Sequence, residues 1–270
     1  MYYKTRMKTY SRLRKTKKLG KRNLKFRNTK MRRKNNRKTS RKNKYKGGVK
    51  YTDHTRSVRQ LPPSGHKQQA LTDNGIKYQA VDIFILTKRA NKICIILFVP
   101  IDSKTKKPRD IVNMPGGRCE ITHPSLQAVA SQELFEESAC TIEISEQEFT
   151  NTLHYDLEGS GGGASGMRRT YLVYIPYTAE IETFYKENLE KITENRNIDK
   201  SYRETNEMVF IPLQTIIASL KDIKRYPNGK PHYQTTDCND FYDNPRNVDW
   251  RIFNIVYNLQ RQRFNYNFKK

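Results

Sequence analysis

Three glutamates, Glu133, Glu136 and Glu137, stand at positions i, i+3 and i+4 of the chain. On an α-helix, this spacing places all three carboxylates on one face within one turn. Like charges repel each other at this spacing, and a divalent cation would reverse that repulsion. Oxygen ligands without His or Cys favour Mg²⁺ or Mn²⁺ over zinc. The same spacing also occurs on solvated acidic helix faces, so the surrounding residues must decide between a metal site and a solvated surface.

The segments around these glutamates indicate a short strand, a turn and a helix. The apolar stretch 111–114 leads into the Pro-Gly-Gly turn at 115–117. A helix is then predicted from Pro124, which suits a first helical turn, to about Ser138. Its apolar residues recur at helical spacing and are Leu126, Val129, Ala130 and Leu134. The glutamates therefore lie on the other, polar face of this helix.

Apolar runs elsewhere predict further strands, at 78–87, 92–99, 149–157, 169–177 and 208–213. Helical spacing predicts helices at 178–192, at 215–220 and from Asp249 onward. Strands interleaved with helices imply a mixed α/β sandwich. The glycine-rich segment 159–166 lacks Gly-Lys-Ser/Thr and opens no helix, so it is interpreted as a hairpin connection rather than a phosphate-binding loop.

Together with the Pro-Gly-Gly turn, the segment from Gln132 to Cys140 resembles the signature of the Nudix hydrolase family. That signature is a glycine, five residues, a glutamate, seven residues and then Arg-Glu-aliphatic-any-Glu-Glu-any-Gly-aliphatic. The residues assigned to this Nudix box are Gly117, Glu120, Gln132, Glu133, Leu134, Glu136 and Glu137. The resemblance implies a Nudix-like α/β/α sandwich with a mixed sheet, and hydrolysis of diphosphate (acid anhydride) bonds in substrates linked to a nucleoside diphosphate.

The chain departs from the family pattern in the residues that support the glutamates. The family's first glutamate falls on His123 when counted forward from Gly117, and on Pro124 when counted back from Gln132. Gln132 stands where the family has arginine, and Ala139 where it has a later glycine. In the family, the first glutamate and the arginine form a supporting ion pair. Their joint absence leaves no orphan charge, which fits a rearranged support better than a dead site.

The resemblance also implies roles for individual residues. Mg²⁺ or Mn²⁺ would be held by the backbone carbonyl of Gly116 and the carboxylates of Glu133, Glu136, Glu137 and Glu207, with Glu204 competing for the last position. The candidate catalytic residues are Glu137, the first choice as base, and Glu136. Arg168 and Arg169 could pair with substrate phosphates, although two arginines at a strand start are about as often solvated. His123 is expected to be a loop or helix-cap residue.

The chain divides into a cationic segment and a nearly neutral body. Residues 1–50 hold 23 of the 52 Lys and Arg and none of the 27 acids, so the remainder carries a charge of only about +2. Because residues 1–50 contain few apolar side chains, they are expected to be a disordered basic tail. We place a polar linker at 51–75 and the Nudix-like hydrolase domain at 76–270.

A basic tail with interspersed aromatic residues would bind a polyanion electrostatically, and capped RNA would gain more from it than a small nucleotide. Removal of the 5′ cap of messenger RNA is therefore the leading hypothesis, with RNA bound through the tail. A Lys/Arg/Asn-rich arm joined to such a domain also resembles Nudix proteins of large DNA viruses. Two alternatives stay open: a pyrophosphohydrolase of diphosphoinositol polyphosphates or small nucleotides, and an inactive Nudix fold that binds RNA.

Composition also bears on where the protein is found. The longest apolar stretch, 93–99, is far shorter than the roughly 20 residues of a membrane-spanning helix. The N-terminus lacks the apolar region of a secretory signal. The four cysteines lie far apart without a Cys-x-x-Cys motif and are interpreted as free thiols. We therefore expect an intracellular protein of the cytoplasm or nucleus, in a reducing compartment, that is not secreted and has no membrane partner.

Overall fold

The structure is a computed structural model that describes residues 68–158, 166–195, 198–220 and 235–261. The predicted tail and most of the predicted linker lie outside the described residues, as does most of the glycine-rich connection. The described fold includes a strand at Leu71–Asp73 that pairs with the start of the next strand. This strand falls within the segment that the sequence assigns to the linker, so the folded body extends to the N-terminal side of Ile76.

The described residues form strands and helices in the following order. They are β1 (Leu71–Asp73), β2 (Ile76–Arg89), β3 (Lys92–Pro100), α1 (Leu126–Glu137), α2 (Glu146–Thr150), β4 (His154–Glu158), β5 (Met167–Tyr174), α3 (Glu180–Glu194), a 3₁₀ turn (Lys200–Arg203), β6 (Thr205–Pro212), α4 (Leu213–Ser219), β7 (Thr235–Asn239), β8 (Pro245–Asp249) and α5 (Trp250–Arg261).

The main sheet has the strand order β4-β5-β2-β3-β6, and β1 pairs with the N-terminal end of β2. Strands β2 and β5 run parallel, whereas the other pairs are antiparallel. The sheet is therefore mixed. Strands β7 and β8 form a separate antiparallel hairpin, in a region where the sequence predicts only a polar loop.

Strand β2 is buried on both faces, which explains why its sequence is a continuous apolar run rather than an alternating one. Ile83 and Ile85 pack into a core with the apolar faces of α1, α2 and α3. Phe84 and Leu86 point to the other face and pack into a second core with α4 and α5. Helices therefore cover both faces of the sheet, and the predicted α/β/α sandwich with a mixed sheet is confirmed.

Strands β2 and β3 pair only over the C-terminal part of β2, from Ile85 to Arg89. Toward the other end the two strands separate, and the extended segment 112–119 lies between them. Its residue Asn113 exchanges backbone hydrogen bonds with Phe98 of β3 at 2.8 Å. The N–H of Ile83 in β2 donates to the carbonyl of Pro115 at 2.8 Å. The segment that carries the Pro-Gly-Gly turn is thus held between two strands of the sheet.

Two predictions of where a helix or strand begins are wrong, because N-cap residues set the start of α1 and α2. Phe149, predicted to begin a strand, lies in α2, because Ser145 and Glu148 form a capping box in which each side chain binds the backbone N–H of the other residue. Pro124 precedes α1 instead of lying in its first turn. Ser125 is the N-cap, and its hydroxyl accepts a hydrogen bond from the first turn at 3.0 Å.

A buried carboxylate joins three elements of the fold and the inserted segment. Asp82 of β2 accepts two hydrogen bonds from Arg168 of β5, at 2.6 and 2.9 Å, and one from Arg251 of α5 at 2.9 Å. Arg251 also donates to the side chains of Asp249 and Asn113. The two guanidinium groups lower the pKa of Asp82 against the opposing effect of burial. Asp82 is therefore held as an anion inside the sandwich.

All four cysteines, Cys94, Cys119, Cys140 and Cys238, are free and buried, which confirms the interpretation of free thiols. In the part of the chain that the structure describes, no helix has the length and apolarity required to cross a bilayer.

Replacing Asp82 by Asn is expected to lower the free energy of unfolding by about 3 kcal/mol, because two partly buried arginines lose their shared anion. Because the pKa of Asp82 is lowered in the folded state, its contribution is present above the ordinary aspartate pKa and is lost as the pH falls through the folded-state value. Urea unfolding at neutral pH measures the change, with the exposed Asp110→Asn variant as control. Equal unfolding midpoints for the two variants would contradict the assigned role.

Candidate active site

Two adjacent glycines bring the inserted segment into direct contact with helix α1. The backbone N–H of Gly116 donates to Oε2 of Glu137 at 3.1 Å. The carboxylate of Glu133 lies against Gly117, in the space that a Cβ atom there would occupy. A Cβ atom on Gly116 would collide with the backbone of Val81 and Asp82. A side chain at position 116 would therefore collide with rigid β2 backbone, whereas one at position 117 would displace the Glu133 carboxylate.

The backbone of the same segment directs one carbonyl group away from β2. The carbonyls of Pro115 and Gly117 accept hydrogen bonds from Ile83 and Val81 of β2, at 2.8 and 2.9 Å. Because carbonyl groups alternate along an extended chain, that of Gly116 points to the opposite side. This orientation leaves the Gly116 carbonyl oxygen free of the β2 ladder, as a ligand role would require.

Four carboxylates, those of Glu133, Glu136, Glu137 and Glu204, form what we call the acidic cluster. Desolvation raises the pKa values of Glu133 and Glu137 well above the ordinary range, and neighbouring charges add to this shift, chiefly Glu137 for the former and Glu204 for the latter. Burial also raises the pKa of Glu136, to about 7. The pKa of Glu204, at the rim of the cluster, is raised mainly by desolvation. The cluster is thus short of positive charge.

Of the two downstream acids, Glu204 is the one whose charge acts on Glu137, whereas Glu207, the first candidate from the sequence, is paired with an arginine. Both oxygens of Glu207 accept hydrogen bonds from Arg246, at 2.6 and 2.9 Å, on the β6 strand that borders β3. Glu204 precedes β6, and Thr205 donates from its hydroxyl to the carbonyl of Glu137 at 2.7 Å. This bond places Glu204 beside the C-terminal end of α1.

A chain of neutral groups connects the loop before α1 to the cluster. The Nδ1 atom of His123 accepts a hydrogen bond from the backbone N–H of Glu120 at 3.0 Å. Its Nε2 atom lies 3.2 Å from Oε1 of Gln132, and Nε2 of Gln132 donates to Oε1 of Glu136 at 2.9 Å. His123 is only 6% exposed. The carboxylate of Glu120 stays outside this chain and acts on Glu133 through its charge.

The two candidate phosphate-binding arginines face different surroundings. Arg168 binds Asp82 through Nε and Nη2, and its side chain keeps 25% of its exposure. Arg169 is buried, and its guanidinium binds Asp156 and Asp73 while stacking on the ring of Tyr78 at 4.4 Å. Alternation along β5 separates the two side chains. Arg168 is thus bound to Asp82, a residue that adjoins Gly116 of the Pro-Gly-Gly turn.

A basic hairpin (residues 101–109) borders the acidic cluster. Its turn is fixed by Asp102, whose Oδ1 accepts the N–H groups of Lys104 and Thr105 at 3.0 and 2.8 Å. The N–H of Ile101 donates to the carbonyl of Glu204 at 2.7 Å. The charge of Lys106, with that of Lys200, lowers the pKa of Glu204. The exposed basic residues of the hairpin are Lys104, Lys106, Lys107 and Arg109.

The donor set of the cluster fits a hard divalent cation. All of its side-chain ligands are carboxylate oxygens, which Mg²⁺ and Mn²⁺ prefer. Among the described residues, no Lys or Arg forms an ion pair with Glu133, Glu136 or Glu137, so their charges are not neutralised within that part of the protein. In the same residues, no three potential ligands already meet in a coordination geometry. Binding of a cation would therefore require small side-chain movements.

Sequence reasoning missed two charged residues of this region, Asp82 and Arg251. A signal for Asp82 was present, because it is a lone acid within the apolar run of β2, and a buried acid needs a partner. Arg251 carried no such signal, since it lies in the polar stripe of an amphipathic helix. His123 was considered and was expected to serve the loop or the helix cap.

No protein-family model matches the chain, and no curated protein matches it. Among solved structures, a C. elegans Ap4A hydrolase binary complex is 16% identical with a TM-score of 0.33, over 52% of this chain and 84% of that one. The NUDIX domain of Shewanella oneidensis NrtR, complexed with ADP ribose, is 12% identical with a TM-score of 0.34, over 62% of this chain and 88% of that one. T. brucei MERS1 in an RNA complex is 17% identical with a TM-score of 0.28, over 38% of this chain and 36% of that one. These scores are low, so the function proposed below is derived from the site's own residues.

The acidic cluster should make the stability of the metal-free protein depend on pH. Because folding raises the pKa of Glu136 to about 7, the stabilisation is complete below the ordinary glutamate value and is lost as the pH rises through about 7. In EDTA, the free energy of unfolding should therefore fall between about pH 5 and about pH 8. Glu136→Gln should flatten this dependence, whereas the exposed Glu187→Gln should preserve it. A wild-type curve that rises over this range would contradict the assignment.

Two matched variants test which downstream acid belongs to the cluster. Glu204→Gln should weaken Mn²⁺ binding about 10-fold or more, because it removes a carboxylate that acts on Glu137. Glu207→Gln should change Mn²⁺ affinity less than about twofold, since Glu207 is already paired with Arg246. Titration calorimetry of both purified variants measures the difference. The reverse order of affinities would restore Glu207 as the ligand.

Proposed function

We propose that this chain is a Nudix-type hydrolase that depends on Mg²⁺ or Mn²⁺ and cleaves the diphosphate linkage of a nucleoside-diphosphate-linked substrate. The observation that carries the proposal is the contact of two glycines with two glutamates of α1. Gly116 binds Glu137, and Gly117 lies against Glu133. This contact supports the proposal because it brings two carboxylates of α1 next to the backbone of the Pro-Gly-Gly turn.

The residues of the site would divide the work as follows. The carboxylates of the acidic cluster and the carbonyl of Gly116 would hold the cation. When bound, a divalent cation supplies charge neutralisation at phosphate oxygens and acidifies water. Glu137 uses Oε2 to accept the N–H of Gly116, which leaves Oε1 to take a proton from the attacking water. Glu136 is held by Gln132 and would complete the ligand set.

Arg168 is the proposed contact to the substrate phosphates. Its Nε and Nη2 atoms bind Asp82, which orients the guanidinium, and its side chain is 25% exposed. An arginine fixed in this way can present its remaining N–H groups to a phosphate without losing side-chain entropy on binding. Arg169 is not part of this proposal, because its guanidinium is buried between two carboxylates.

Capped messenger RNA is the substrate that we favour. The basic hairpin adjoins Glu204, so a phosphate chain leaving the cluster would meet Lys104, Lys106 and Lys107. Residues 1–50 add 23 further basic residues in the sequence. A long polyanion can use both groups of charges, whereas a free dinucleotide or nucleotide sugar can use neither in full. RNA would thus be bound in part through the N-terminal tail.

The test is incubation of the full chain and Mg²⁺ or Mn²⁺ with capped, labelled RNA, and in parallel with free cap analogue, diphosphoinositol polyphosphates and ADP-ribose. Release of methylated guanosine diphosphate from RNA is expected. Glu137→Gln should reduce it by about 100-fold or more, and Glu187→Gln should not. If only a small substrate is hydrolysed, that small molecule and not capped RNA is the substrate. If no substrate is hydrolysed and RNA binding is salt-sensitive, the proposed hydrolase activity is wrong and an inactive RNA-binding fold is favoured.

Salt separates the polyanion from the small substrate in the same assay. Raising KCl from about 50 to about 200 mM should raise the KM for capped RNA by about tenfold or more. The reason is that binding releases cations from the RNA backbone, and this release is less favourable at higher salt. The KM for free cap analogue should change much less. Equal salt effects on both substrates would remove the basic segments from the proposed recognition.

A further inference from the structure

The hydrogen bonds around His123 have only one consistent direction. The backbone N–H of Glu120 is an obligatory donor, so Nδ1 of His123 must be the unprotonated, accepting nitrogen. The proton of a neutral imidazole then resides on Nε2, which donates to Oε1 of Gln132. This leaves the amide Nε2 of Gln132 to donate to Glu136. All three bonds are satisfied without any formal charge on His123 or Gln132.

We infer that His123 and Gln132 are a charge-neutral positioning pair that fixes Glu136 relative to the Pro-Gly-Gly turn at 115–117. His123 is anchored to the loop backbone three residues upstream, and Gln132 stands one helical turn before Glu136. Gln132 stands where the Nudix signature has an arginine, and His123 stands where it has a glutamate when the signature is counted forward from Gly117. The effect of the pair on turnover rests on the proposed function, whereas its effect on Glu136 does not.

The neutral pair suits the charges that surround it. A glutamate at position 123 would add a carboxylate next to Glu120, in a region where Glu133 already experiences the charge of Glu120. An arginine at position 132 would place a cation on Glu136 and compete with a metal ion for that carboxylate. Histidine and glutamine connect the same two elements and leave the carboxylates of the cluster for the cation.

A four-variant cycle tests the pair: wild type, His123→Glu, Gln132→Arg and the double substitution. Each single substitution should weaken Mn²⁺ binding by about 10- to 100-fold, as is usual for partners of metal ligands. The double substitution creates an ion pair in the same place and should recover affinity to within about threefold of wild type. The exposed substitutions His154→Glu and Gln147→Arg make the same chemical changes elsewhere and should leave Mn²⁺ affinity unchanged.

A second measurement on the wild-type, metal-free protein does not depend on activity or on the folding of variants. Long-range ¹H–¹⁵N NMR at about pH 8, above the ordinary histidine pKa, reports which ring nitrogen carries the proton. His123 should show the Nε2–H tautomer. An Nδ1–H tautomer, or single variants that bind Mn²⁺ as well as wild type, or a double variant no better than the worse single one, would overturn the inference.

The two proposals can fail separately. If capped RNA and every small substrate are left intact while the cycle and the tautomer match expectation, the proposed function falls and the positioning pair stands. If turnover is observed but Mn²⁺ affinity does not recover in the double variant, the proposed function is supported and the positioning role of His123 and Gln132 is wrong.

Discussion

The close approach of one loop to one helix is the constraint on which the site depends. Gly116 has no room for a Cβ atom beside β2, a Cβ atom on Gly117 would displace the Glu133 carboxylate, and the Gly116 N–H binds Glu137. The loop can be there only because β2 is not paired with β3 on the N-terminal side of Ile85, which leaves a gap that segment 112–119 fills. The architecture of the sheet therefore determines where the Pro-Gly-Gly turn meets the glutamates of α1.

Crowded carboxylates oppose folding, and the protein offsets this cost beside the site. Desolvation and mutual repulsion raise the pKa values of the acidic cluster, so folding favours its protonated form. On the other side of Gly116, Asp82 shares two arginines and has a lowered pKa. Uncompensated negative charge is thus confined to the place where a cation is proposed to bind, while adjacent charges are paired.

The sequence predicted the glycine turn, the glutamate helix and the two-sided sheet, because each depends on local spacing or on continuous apolar runs. It could not choose between Glu204 and Glu207, because that choice depends on where β6 begins, and strand boundaries follow from pairing with β3. Nor could it predict that Arg168 and Arg169 have different surroundings. Their side chains point to opposite faces of β5, and Arg169 pairs with Asp73, which is distant in sequence. The hydrogen bonds of His123 could not be predicted from the sequence, because they depend on the conformation of the loop before α1.

The Asp82 network also has a consequence for the order of folding. Its two ion pairs join residues that are 86 and 169 positions apart in the chain. Contacts of such long range close large loops and form late, because the entropy of loop closure is lost before the contact is gained. Arg251 lies in the last helix described, so a growing polypeptide cannot complete this network until α5 has been synthesised. The surroundings of the Pro-Gly-Gly turn should thus reach their final arrangement only after α5 has left the ribosome.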